Sequence, residues 1–290
     1  MVIRKMLKTG MRMLPRRAKD EISRMRRYQT ADERVLPDFI IAGAQKGGTS
    51  SLYAYLTQHP QIIGAATKEV HFFDNRFELG TDWYRSHFPT MAELDGQADQ
   101  VDGHVLTGEG SPYYLFHPHA PARIAEVVPQ VRLIAMLRNP VERAYSHYRH
   151  MVRKNVEPLS FEEAIAKEEE RLDGEVERML ADPTYLSYNH QHFSYRARGI
   201  YADQLEAYEK WFRSDQMLVL ESERFYRSTQ GVYDEVTDFL GLERWEPAHF
   251  EPRNAGSYTR RATPMEEELS EYYLPHNERL FDRLGASFSW

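Results

Sequence analysis

Lys46, Gly47, Gly48, Thr49, Ser50 and Ser51 stand in one run, AQKGGTSSL, directly after the apolar stretch FIIAG. A glycine-rich turn that opens a helix after a strand aligns successive backbone N–H groups into a nest for anionic oxygens, and three hydroxyls add donors. Gly43 and Gly48 keep the spacing of the nucleotide loop G-x-x-x-x-G-K-[ST]. Thr49, however, follows Gly48 directly, and the lysine is Lys46, two residues before Gly48. A magnesium-nucleotide site needs its lysine on the terminal phosphates and a strand-terminal aspartate near the metal. The strong strands here end LIAMLR and MLVLES, and neither supplies that aspartate. The loop suits an anion, but its lysine points somewhere new.

A second group lies in RLIAMLRNPVERAYSHYRH, residues 132–150. Arg138 closes a strand, where open α/β sheets bind ligands. A guanidinium there can grip a phosphate with two parallel hydrogen bonds, and Ser146 on the following helix can add a hydroxyl. Arg143, Arg149 and Arg153 are expected to add positive charge nearby. Taken alone, Arg138 could equally cap the strand or pair with an acid.

The elements that must hold these groups follow from hydrophobic period. Residues 37–43 and 131–137 read as buried parallel strands, and 216–221 as a third. QIIGA, 61–65, suits a short strand. Helices are expected over Thr49–Gln58, Ala120–Val128, Val141–Lys154 with Pro140 at its first position, Ala202–Phe212 and Gly231–Leu240. A last helix is expected from Met265, interrupted near Pro275. Residues 95–110 read as polar loop apart from HVLT. Residues 160–182 carry nine acids and three bases, with a Ser160/Glu163 capping box, and read as solvated helices. The alternation predicts a parallel sheet with helices on both faces. The chain divides into a basic segment, 1–36, and one domain, 37–290.

Composition narrows the classes. The 290 residues hold no cysteine, which excludes disulfides, thiolate catalysis and Cys-ligated zinc, and fits a reducing compartment. No 18-residue apolar run exists, so no transmembrane helix is expected, and the N-terminus lacks the apolar core of a signal peptide. Ten Lys/Arg against two acids fall in residues 1–30, while the net charge is −7. The acidic body argues against a nucleic-acid partner. The basic head suits peripheral contact with acidic lipid, or is a solvated helix or tail. His117/His119 and His190/His192 are paired without a convincing third ligand, so no metal is expected.

The loop and the Arg138 segment together resemble the sulfotransferases that use 3′-phosphoadenosine 5′-phosphosulfate (PAPS), most closely the heparan-sulfate N- and O-sulfotransferase branch and its bacterial relatives. KEVHFFD (68–74), GEGSPYY (108–114), DWY (82–84), RGIYADQLEAYEKWF and QMLVLESERF extend the likeness over residues 37–285. The resemblance implies a P-loop α/β fold. It implies that Lys46 to Ser51 hold the 5′-phosphosulfate, and that Arg138 and Ser146 hold the 3′-phosphate. Lys46 would meet the departing phosphate, and Glu69 would take the acceptor's proton. His71 would orient the acceptor or act as an alternative base, both side chains facing one way if the stretch is extended. RNAGSYTRR (253–261) matches a cofactor-covering loop in general role only, for Arg260 and Arg261. Gly110 stands where many animal members carry a lysine facing the acceptor. With neither a membrane anchor nor a disulfide, a cytoplasmic bacterial-type enzyme is expected, its acceptor a sugar, lipid headgroup or small metabolite. The rival readings are a kinase or NTPase using ATP and magnesium, and a non-catalytic nucleotide-binding or scaffold protein.

Overall fold

The computed structural model describes residues 23, 25–101, 103–247, 249–250 and 264–290. Much of the basic head, and Arg260 and Arg261, lie outside them. Phe39–Gly43 forms β1, and every residue of it is buried. Its side chains alternate between two cores, as strand geometry requires. Phe39 and Ile41 pack with Leu52, Tyr55, Val232 and Val236; Ile40 and Ala42 pack with Ile124, Tyr201, Leu205 and Tyr208. A strand with apolar partners on both faces belongs at the centre of a sheet, and β1 is there.

The elements that position the site are, in chain order, β1, α1 (Thr49–Leu56), β2 (Ile62–Gly64), β3 (Leu106–Gly110), α2 (Ala120–Val127), β4 (Arg132–Leu137), α3 (Pro140–Arg153), α4 (Tyr201–Glu209), β5 (Met217–Glu221), α5 (Thr229–Leu240) and α6 (Pro264–Leu284). All pairings are parallel, in the order β2-β3-β1-β4-β5. The chain leaves β1 toward β3 on one side and β4 on the other, so the switch point and its crevice lie at the C-terminal end of β1. α1 and α5 cover one face, and α2, α4 and part of α6 cover the other. This is the P-loop α/β architecture expected from the alternation of elements.

Three expectations need correction. Of residues 95–110, 95–98 end the helix Met91–Ala98, and Gly108–Gly110 are not loop but join Leu106 and Thr107 in β3, buried throughout and paired with β1. Their polar groups are satisfied inside: the Thr107 hydroxyl donates to Ile63 O at 2.6 Å, and Glu109 meets four donors described below. α6 runs on through Pro275, with Leu269, Tyr273 and Leu280 buried along it. The 160–182 segment is only partly a solvated face. Glu168 is buried and caps the N–H groups of Arg196 and Ala197 at 2.6 and 2.8 Å, and buried Glu175 accepts from the hydroxyls of Tyr185 and Ser187.

Among the described residues no helix is long and apolar enough to cross a membrane. Residues just before β1 are tied to the body: Arg27 Nε donates to Ser86 O, and Arg34 Nη1 to Phe88 O.

Gly108 gives the fold a direct test. A Cβ there would lie 2.6 Å from ring atoms of Phe39, which is fully buried. Gly108→Ala should lower stability by about 1–3 kcal/mol through overpacking, read as a lower urea midpoint with an unchanged slope.

Candidate active site

The loop after β1 is shaped by close approach to β4. Ala44 N–H donates to Met136 O at 2.9 Å, and a Cβ on Gly47 would sit 2.3 Å from that same carbonyl. Only glycine fits there. Lys46 (φ 72°) and Gly48 (φ 96°) take left-handed backbone, which turns the chain into α1. Gly47 N–H and Ser51 N–H are used inside the loop, on Ala44 O and Gly48 O. The N–H groups of Lys46, Gly48, Thr49 and Ser50 meet no protein acceptor among the described residues. They form an open cradle at a helix N-terminus. Ser51 is fully buried and its hydroxyl meets Tyr226, whose own hydroxyl closes over Gly48. Ser50 Oγ accepts from Lys68 Nζ at 2.5 Å.

Arg138 stands beside the loop. Its Nη1 reaches Lys46 O at 3.5 Å, and its Nη2 pairs with Glu142 at 3.1 Å. Asn139 caps α3 by accepting from Val141 and Glu142 N–H, Pro140 sets the first turn, and Tyr201 OH holds Arg138 O at 2.8 Å. Ser146 follows on the same helix and is 8% exposed. Arg143 is not part of this charge, contrary to expectation: it is fully buried and donates to Tyr195 O. Arg149 lies over the Tyr145 ring. Arg153 does add positive charge near Lys46. Burial pushes Lys46 down to about 8, and Arg153, Arg138 and Lys154 push the same way against Glu69. The site is short of negative charge.

Glu69 and His71 come together, though not through an extended strand. Both have left-handed backbone, φ 58° and 56°. Glu69 Oε1 pairs with Lys68 Nζ at 3.0 Å, and Glu69 Oε2 lies 3.7 Å from His71 Nε2. That second spacing is an ion pair rather than a hydrogen bond. His71 Nδ1 donates to buried Asp74 Oδ2 at 2.7 Å. The His71 contact, outweighing burial, and then Lys68 hold Glu69 down at about 2. Burial would lower His71, but Asp74 and Glu69 together lift it to about 10. At neutral pH Glu69 is thus an anion able to accept a proton, and His71 a cation without a free lone pair.

Three residues of this cluster escaped the sequence reading. Lys68 links the loop hydroxyl to Glu69; its signal was only adjacency. Asp74 orients His71, and the i, i+3 spacing from His71 into the short helix Phe72–Asn75 was its signal. His150 sits one turn after Ser146 on α3, and burial with Lys46, Lys154 and Arg153 pushes it down to about 4. His119 and His190 are held by Met179 O and Tyr113 OH, both at 2.7 Å.

The sulfotransferase domain profile matches residues 36–266. The chain belongs to the sulfotransferase family. It is 33% identical to a sulfotransferase of Alicyclobacillus acidocaldarius whose crystal structure superposes with a TM-score of 0.65, covering 88% of this chain and 98% of that one. Human heparan sulfate glucosamine 3-O-sulfotransferase 6 is 31% identical over 89% of this chain and 74% of its own length. The membrane-associated sulfotransferase kil1 of Dictyostelium discoideum is 25% identical over 88% of this chain and 66% of its own length. The chain is therefore an enzyme of the sulfotransferase class, whose sulfuryl donor is PAPS, and the kinase reading is not favoured.

Anion binding in this cradle would be proton-linked through Lys46. An anion in the cradle favours charged Lys46 and raises its pKa above the free value of about 8. Between those two values the complex holds more protons than the free protein, so affinity must fall as pH rises through that window. Calorimetry of adenosine 3′,5′-bisphosphate (PAP) in buffers of different ionisation enthalpy should show proton uptake above pH 8 that disappears in Lys46→Ala.

Proposed function

We propose that this chain transfers the sulfuryl group of PAPS to a hydroxyl or amine of a carbohydrate acceptor, with Glu69 receiving the acceptor's proton. The observation that carries it is a desolvated lysine crowded by cations beside a row of open N–H groups, with a carboxylate–imidazole–carboxylate chain opposite. The residues present fit the donor. The open N–H groups of Lys46, Gly48, Thr49 and Ser50, with Gly47 allowing close approach, would hold the 5′-phosphosulfate. Arg138, released from Glu142, and Ser146 would hold the 3′-phosphate. Ser51 contributes by fixing the start of α1, and Arg260 and Arg261 remain candidates for covering the nucleotide.

The chemistry assigns each residue one task. As the acceptor oxygen or nitrogen bonds to sulfur, its proton passes to Glu69. The bond from sulfur to the bridging phosphate oxygen breaks, and Lys46 neutralises the charge left on that oxygen. A cation placed where charge develops stabilises the transition state more than the ground state. His71, fixed by Asp74, keeps Glu69 ionised and orients it. Lys68 is shared between Ser50 and Glu69, so an anionic oxygen at Ser50 competes for it and leaves Glu69 more basic. The carbohydrate acceptor is supported by the heparan sulfate relatives.

PAP binding measured by calorimetry without magnesium tests the donor site. Arg138→Ala should weaken it by about 10- to 100-fold, the value of a hydrogen bond to a charged group. Radiolabelled transfer from PAPS to partly desulfated heparan sulfate tests the chemistry. Glu69→Gln should cut kcat by about 10²–10⁴-fold, and Lys46→Ala by about 10²–10³-fold, with Glu69→Gln not weakening PAP binding, since it frees Lys68 for the anion. Binding of ATP with magnesium in place of PAP would sink the proposal.

A further inference from the structure

Glu109 is fully buried in the middle of the sheet, and no cation pairs with it among the described residues. A buried carboxylate without a cation is costly and needs its lone pairs filled by donors. They are filled. Tyr84 OH and Tyr114 OH donate to Oε1 at 2.8 and 2.9 Å; Ser111 Oγ and Val70 N–H donate to Oε2 at 2.6 and 3.3 Å.

Two of those hydroxyls have a second task. Ser111 Oγ accepts from His71 N–H at 3.1 Å, and Tyr114 OH accepts from Phe72 N–H at 2.8 Å. Three successive backbone N–H groups, Val70, His71 and Phe72, therefore end on one buried carboxyl group, directly or through one hydroxyl. Successive N–H groups converging on an anion are the arrangement a left-handed turn produces. Glu69 and His71 both hold left-handed backbone that residues with a Cβ ordinarily avoid. Such backbone persists only where the surroundings over-determine it.

We propose that Glu109, Ser111 and Tyr114 are positioning residues that hold the Glu69–His71 turn in place, Glu109 serving as the shared buried acceptor for its backbone. This rests on the reading of Glu69 as proton acceptor. The network also gives DWY and GEGSPYY a physical task, since Tyr84, Glu109, Ser111 and Tyr114 come from them. A displaced turn would separate His71 from Glu69 and Asp74, whereas the donor loop, held by β1 and β4, would be untouched.

The test follows the His71 imidazole by NMR in the full chain, alongside PAP calorimetry. Wild-type His71 should titrate near 10. Ser111→Ala and Tyr114→Phe, each deleting one acceptor, should move it at least one pH unit toward the ordinary 6.5 while PAP affinity is unchanged. Glu109→Gln should do the same, and the two milder variants carry the test if it does not fold. Wild-type titration in both milder variants would overturn the proposal, as would loss of PAP affinity in step with the shift, which marks general damage. A wild-type protein that binds no PAP would refute the donor-site reading, while the His71 shift would still report on the turn.

Discussion

Everything in the site depends on holding positive charge against the end of β1 before an anion arrives. Burial first, and then repulsion from Arg153, Arg138 and Lys154, make Lys46 give up its proton more readily than an ordinary lysine. Each cation stays because a separate element anchors it. Lys46 rides on a turn pinned between Gly47 and Met136 O. Arg138 is fixed by the Asn139 cap and the Tyr201 hydroxyl on its carbonyl. Arg153 and Lys154 end α3, where the exposed carbonyls favour cations. That repulsion would be relieved by the proposed donor, which carries two phosphate-like ends, so charge alone favours it before any contact is made.

Across the crevice the problem is reversed. Glu69 lies between Lys68 and His71, and these contacts hold it fully ionised at the expense of basicity. A carboxylate so stabilised is a weak base by the Brønsted argument. The contact to Lys68 is the adjustable one, because Lys68 is half-exposed and also bonded to the donor loop at Ser50, whereas Asp74 fixes His71 from inside. The loop after β1 and Glu69 are therefore linked through Lys68. A charge change on either side is felt on the other.

What was legible in the sequence was local. β1, the loop and α1 are one continuous stretch, as are β4, Arg138 and α3, and both were read with bounds close to those observed. Apolar period and glycine spacing carry such information directly. β3 was hidden because LTGEG has neither apolar alternation nor bulk: Gly108 is required by the Phe39 ring, and Glu109 is buried with partners supplied from residues 70, 84, 111 and 114. Buried Glu168 and Glu175 were lost in an acidic run for the same reason. Arg143 misled in the opposite sense, since only packing shows that it turns inward to Tyr195 O. The helix through Pro275 survives because both of its halves pack against the body.

The pattern of failures follows from what each half of the site must do. The proposed donor site uses backbone N–H groups, and a backbone turn is written in a few adjacent residues. Proton transfer needs a carboxylate at one place and in one orientation, to within fractions of an ångström. No local motif can set that, because a glutamate on a free turn would choose its own backbone conformation and pair with solvent. Here the orientation is imposed from the centre of the sheet, by hydroxyls and a carboxylate from β3 and the segment that follows it, against the intrinsic preference of Glu69 and His71. Residues that look out of place in a core strand are thus the ones that connect the rigid sheet to the proposed proton acceptor, and their polarity is the price of that connection.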